Sequence, residues 1–195
     1  MKTTILFLVT LCISGFCYGR SWDTKHNIQQ ADNKQIIIHT DSYHFTVVFL
    51  NTEFAGKVAV YSSPFSTSIV TYVQNNIENE DFVIFDLLHK QDSMYYVLAY
   101  SGATNQVFAI GWISKNNHLD INLKAAAYNR DLVIYRNVND RERKMFSDKE
   151  RLFTDIEIMD FENNWLKIKF KYKNEIYIGW LPPEMQCGNP YTTCN

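Results

Sequence analysis

Between Gln35 and Trp180 the chain is a succession of short runs rich in Ile, Val, Phe and Tyr, each broken within a few residues by Asn, Asp, Ser or Gly. Runs of this length and composition are strands, because β-branched and aromatic side chains fit a pleated, half-buried surface and the breaking residues supply turns. Ten candidates follow one another: QIIIH, HFTVVFL, KVAVYSS, DFVIFDLL, MYYVLAY, VFAIGWI, DLVIYRN, DIEIMDF, WLKIKFKY and IYIGWL. No long amphipathic helix is expected. The stretches LKAAAYNR and DRERKMFSDKER come nearest, each as a single turn within a loop.

The runs repeat. DFVIFD at 81–86 aligns with DIEIMD at 155–160 at an offset of 74, and VAVY ending at Tyr61 aligns with LVIY ending at Tyr135 at the same offset. Downstream, Tyr96-Val97 is matched to Trp165-Leu166, which requires a hairpin five residues shorter in the second copy. AIGWI at 109–113 is matched to YIGWL at 177–181. An internal duplication explains all four matches. So many strands in about 55–60 residues per copy suit a small closed barrel, which has no open edges. In each closing strand Gly111 or Gly179 admits a neighbouring backbone, and Trp112 and Trp180 are expected as equivalent buried positions.

On these motifs each copy resembles a bacterial SH3 domain. VAVYSSPFSTS at 58–68 stands where that family has its leading strand, with Tyr61 in place of an Arg and Ser63 in place of a Gly. LVIYRNV at 132–138 follows the leader less well, and the Gly-Trp closures carry most of the likeness. The ending GWLPPEMQCGNPYTTC is similar to the tails of small secreted SH3-like proteins of Gram-negative bacteria. The resemblance implies an all-β chain of two SH3-like barrels in tandem and a binding role toward cell-wall peptide or another envelope ligand.

The first residues agree with export. One Lys, an apolar run from Ile5 to about Phe16 and the small residue Gly19 have the order of a secretory signal peptide, and the run is too short to span a bilayer. Cleavage after Gly19 is expected, at Arg20 or within two residues of it, giving a periplasmic or secreted product with no stable membrane anchor. It would remove Lys2, Cys12 and Cys17, leaving 18 basic against 21 acidic residues, a formal charge of −3. No basic field then favours nucleic acid. The two remaining cysteines, Cys187 and Cys194, are expected to pair in an oxidising compartment, closing a terminal loop worth about 2 kcal/mol. The resulting organisation is a signal peptide at 1–19, an extension with one or two strands at 20–56, a first barrel at 57–116, a linker at 117–129, a second barrel at 130–185 and a disulfide-tied tail at 186–195.

Little in the chain suggests chemistry. Cys187 has no His after it, so a Cys/His nucleophile would need His26, His39, His44, His89 or His118 folded back. His39 and His44, five apart, do not share a strand face. Asp81, Asp86, Asp155 and Asp160 read as turn formers at strand ends. A non-enzymatic protein without cofactor or metal is therefore expected. The feature that suggests function is LKIKFKYKN, where Lys167, Lys169, Lys171 and Lys173 alternate with apolar residues and would form one basic face. That face is either a solvated outer face, its lysines also guarding an edge from aggregation, or a docking ridge for an acidic surface. Its counterpart in the first copy, YYVLAY, is uncharged. Aromatics of the first copy, Tyr61 and Phe65 foremost with Tyr72, Tyr95 and Tyr100, are candidates to line a groove between loops. A periplasmic immunity or inhibitor protein that neutralises a toxin or enzyme is the alternative function, and a hydrolase the second alternative. The residues do not decide the oligomeric state.

Overall fold

The computed structural model describes residues 46–115, 118–123, 131–147 and 153–191. The signal-peptide reading, QIIIH, His26, His39, His44, most of LKAAAYNR and Cys194 lie outside them. The described chain is all-β, with 3-10 turns at Ile77–Asn79 and Pro183–Met185.

The first repeat is built from β2 (Val58–Tyr61), β3 (Ile69–Val73), β4 (Val83–Gln91), β5 (Met94–Ser101) and β6 (Val107–Ser114). The second is built from β9 (Leu132–Tyr135), β10 (Arg143–Phe146), β11 (Thr154–Glu162), β12 (Trp165–Tyr172) and β13 (Glu175–Leu181). Their antiparallel orders are β3-β2-β6-β5-β4 and β10-β9-β13-β12-β11, the same arrangement twice. Every pairing of the first set recurs in the second. β1 (Thr46–Leu50) and β7 (Leu119–Asp120) extend the first sheet beyond β4, so residues before 57 do add a strand to it. β8 (Asn122–Leu123) pairs with β14 (Gln186–Cys187), which joins the segment between the repeats to the tail.

Register makes the duplication geometric and corrects its alignment. Tyr61 pairs with Trp112, and Tyr135 pairs with Trp180. An added Cβ at Gly111 would lie 2.7 Å from Val60 Cγ1, and one at Gly179 would lie 2.6 Å from Ile134 Cδ1, so the two glycines serve the same close approach. Between β4 and β5 the last pair is Gln91 with Met94, and between β11 and β12 it is Glu162 with Trp165. Both hairpins thus turn on two residues, Asp92-Ser93 and Asn163-Asn164, with Asp92, Asn163 and Asn164 at positive φ as such turns require. The second hairpin is not five residues shorter. The structural counterpart of Tyr96 is Lys167, opposite Trp180, and not Trp165. The matched acids also separate: Asp86 pairs with Leu98 within β4, whereas Asp160 pairs with Lys167, the position His89 holds opposite Tyr96. Neither Asp86 nor Asp160 ends a strand.

The inward residues of both sheets, among them Val60, Phe85, Tyr95, Val97 and Ile113 from the first and Ile134, Ile158, Ile168, Phe170 and Leu181 from the second, belong to one continuous buried cluster. Leu119, Ile121 and Leu123 of the connecting segment belong to it too. At the junction the Tyr95 and Phe161 rings meet edge-on at 5.3 Å. Asp160 of the second repeat accepts Lys90 Nζ at 2.9 Å and Lys115 Nζ at 3.4 Å from the first. Desolvation pushes the Asp160 pKa up, but the Lys90 hydrogen bond, the Phe161 N–H and the two ammonium charges outweigh it and hold the carboxyl below its ordinary range.

Candidate binding surface

Alternation along each strand gives each sheet a second, outward face. In the first sheet that face presents Val47, Phe49, Ile84, Asp86, Leu98, Tyr100 and Trp112. Phe49, Ile84 and Tyr100 are buried, packed with Val47, Leu98 and Val107 in a small second cluster. The tail folds back over this face. Gly188 sits so close to Val47 that a Cβ would lie 2.1 Å from its carbonyl oxygen, and the Tyr191 hydroxyl accepts the Phe82 N–H at 2.8 Å. Asn122 Nδ2 donates to the Asn189 carbonyl at 3.1 Å. The tail is therefore a strap whose backbone and aromatic ring are packed on the first repeat.

On the same face Asp86 is half-buried, flanked across the strands by Val47 and Leu98, and it accepts the Tyr100 hydroxyl at 3.2 Å. Desolvation raises its pKa from 3.8 to about 6, against the downward pull of the Tyr100 hydrogen bond.

The outer face of the second sheet has a different character. Lys167, Lys169 and Lys171 stand on β12 opposite Trp180, Ile178 and Ile176 of β13. Ile176 is 65% exposed and Ile178 53%, so this is a mixed basic and apolar surface open to solvent. β12 is an inner strand, paired on both sides, so its lysines do not guard an edge. Lys169 is engaged by Glu157 of β11 at 2.6 Å. Lys167 lies 5.9 Å from the Trp180 ring centroid, and neither Lys167 nor Lys171 has a carboxylate partner among the described residues. Lys173 does not belong to the face. β12 ends at Tyr172, and Lys173, at φ 49°, begins the two-residue turn Lys173-Asn174, with its ammonium 5.1 Å from the Tyr172 ring. A strand pattern continued one residue into a turn accounts for its inclusion.

The register explains the charge difference between the copies. Tyr96, Leu98 and Tyr100 hold the positions of Lys167, Lys169 and Lys171, and the first set lies on the face that β1 and the tail extend and cover. The strand that carries lysines on the open face carries tyrosine and leucine here, and the one carboxyl placed on the covered face, Asp86, is pushed toward its neutral form by desolvation.

The two tryptophans share a register but not an environment. Both point outward, the inward positions beside them being Gly111 and Ile113 in one strand and Gly179 and Leu181 in the other. Trp180 is 8% exposed, with Tyr135 and Lys167 on the adjoining strands and Trp165 packed edge-on against Tyr135 at 5.0 Å. Trp112 is only half-buried, its ring 5.2 Å from Tyr96 and 6.0 Å from His89. The expectation of two equally buried indoles therefore fails for Trp112.

Of the loop aromatics, Tyr61 lines a shallow depression of about 220 Å³ together with Lys57, Val58, Ala59, Ser114 and His118. That is smaller than the clefts that usually enclose small molecules. Phe65 projects from the β2–β3 connection and does not line it. Tyr95 is core, with its hydroxyl buried and without a hydrogen-bond partner among the described residues. Cys187 is buried on β14. Among the described residues no cluster of three His, Cys, Asp or Glu is placed to hold a metal ion, and no helix is long and apolar enough to cross a membrane. Compared with protein-family models, curated proteins and solved structures, the chain matches none.

Proposed function

We propose that the chain is an exported, non-enzymatic binding protein of two SH3-like barrels, that its ligand belongs to the cell envelope, and that the open face of the second sheet makes the principal contact. The observation that carries this reading is the contrast between two homologous faces. One is mostly apolar and covered, with Asp86 desolvated in it; the other combines Lys167 and Lys171, without carboxylate partners among the described residues, with exposed Ile176 and Ile178. A flat basic and apolar surface suits an acidic protein partner better than it suits a short peptide, which needs a groove. This favours an envelope protein over cell-wall peptide, and it equally suits the second reading, a periplasmic immunity or inhibitor protein that neutralises a toxin or enzyme. Cell-wall peptide would instead be sought at Tyr61 and Phe65.

The test is retention from envelope extract beside sedimentation with purified peptidoglycan. Lys167→Gln with Lys171→Glu is expected to abolish retention of the acidic partner, and salt is expected to weaken it in the wild type. Lys169 is left in place because its reversal would set two glutamates face to face, and Lys167 is neutralised rather than reversed because it stands opposite Asp160. Retention of the same proteins by the double variant overturns the site. Sedimentation with peptidoglycan that the double variant retains moves the site to Tyr61 and Phe65.

Export and the Cys187–Cys194 pairing belong to the same proposal. The mass of the exported protein is expected to match a chain beginning at Arg20, or within two residues of it, less two hydrogens for one disulfide. Retention of Met1, or a diacylglycerol mass on Cys17, contradicts it.

A further inference from the structure

Duplication gives the molecule two corresponding sheet edges, β3 and β10, and the two are protected unequally. β10 carries Arg143 and Lys144 beside Arg141 and Glu142, the charged guard that keeps sheet edges from pairing with other chains. β3, IVTYV, has no such guard: from Ser62 to Ile77 the chain carries no charged residue. Among the described residues β3 is bonded to β2 alone, and no described strand pairs with its other row of backbone N–H and C=O groups. Val70 is 52% exposed, Tyr72 55% and neighbouring Phe65 75%. The register shift at Val60/Tyr61 leaves Val70 as the bulged residue without ending the strand.

We infer that β3 is a self-association edge, pairing antiparallel with β3 of a second copy about a two-fold axis through Thr71. In that register Thr71 faces Thr71 of the other copy and exposed Val70 faces exposed Tyr72, so the surface is complementary to itself. No like charges meet, whereas two β10 edges would oppose Arg143 and Lys144 to their own copies. The interface is one strand wide and falls below the area of a stable dimer, so association depends on concentration. It leaves the lysine face free and does not rest on the proposed envelope ligand.

Two measurements test it on the full mature chain. In sedimentation, the wild-type mass is expected to rise above that of a monomer with concentration, and Val70→Lys with Tyr72→Lys is expected to abolish the rise while leaving the melting transition in place. Opposed residues in antiparallel strands lie about 4.5–5.5 Å apart at Cα, within disulfide reach. Thr71→Cys is therefore expected to give a covalent dimer on mild oxidation, with the bond mapped to position 71 of both chains. Met145→Cys, on β10 and more exposed than position 71, is expected to give none. A wild type that stays monomeric throughout, or cross-linking at position 71 no greater than at position 145, overturns the inference.

Discussion

Trp180→Ala is expected to cost about 3–5 kcal/mol, as large-to-small substitutions at well-packed sites do, while Trp112→Ala costs about half as much. The two residues occupy the same place in a repeated sheet, opposite Tyr135 and Tyr61. What differs is cover, since Trp180 is nearly enclosed among Tyr135, Lys167 and the neighbouring Trp165, and Trp112 is open on one side. Against a typical total of about 5–15 kcal/mol, the first loss leaves the fold marginal and the second does not. Urea midpoints at a common slope measure both. Equal losses would contradict the environments described for the two indoles.

The second large effect is a pH dependence set by Asp86. Folding raises its pKa from 3.8 to about 6, so between these values the folded chain keeps a proton that the unfolded chain has released. Its contribution to stability is therefore most favourable below about pH 4, declines as pH rises through this window and is constant above about pH 6. Asp86→Asn cannot ionise and still accepts the Tyr100 hydroxyl. At pH 7.5 the variant is expected to exceed the wild type by about 2 kcal/mol, and at pH 4 the two should nearly coincide. Asp160, whose pKa is lowered, works in the opposite sense, its contribution being lost as pH falls, but it is common to both chains and cancels in the difference. Stability curves that run parallel from pH 4 to pH 7.5 would show that Asp86 is not held in the covered face.

The same burial explains what the sequence revealed and what it hid. Nine of the ten predicted runs lie wholly or mostly in described residues, and all nine contain strands, because inner strands such as β5 and β12 bury every second residue. The edges were missed. In β10 only Phe146 is buried, so RKMF has no alternation to read and its charges suggested a helix. β3 exposes Ile69, Val70 and Tyr72, and its IVTYV is not among the ten runs. β7 and β8 are too short for any period.

The duplication was legible at its ends, where Gly111 and Gly179 meet Val60 and Ile134. In the middle it was misaligned, because the acids around apolar runs matched by type while register follows the two-residue turns. The candidate site was partly legible: Lys167, Lys169 and Lys171 do share a face. That Lys169 is neutralised by Glu157, and that Ile176 and Ile178 stand beside the lysines, depends on strand pairings that spacing alone does not specify.

Lysine labelling, read residue by residue by mass spectrometry, tests the proposed contact surface most directly. In the free protein Lys167 and Lys171 are expected to react. With the partner captured from envelope extract, both should be protected while Lys57, on the first repeat, labels at its free rate. Unchanged labelling of Lys167 and Lys171 in a complex that demonstrably forms would contradict the assignment of the open face as the contact surface.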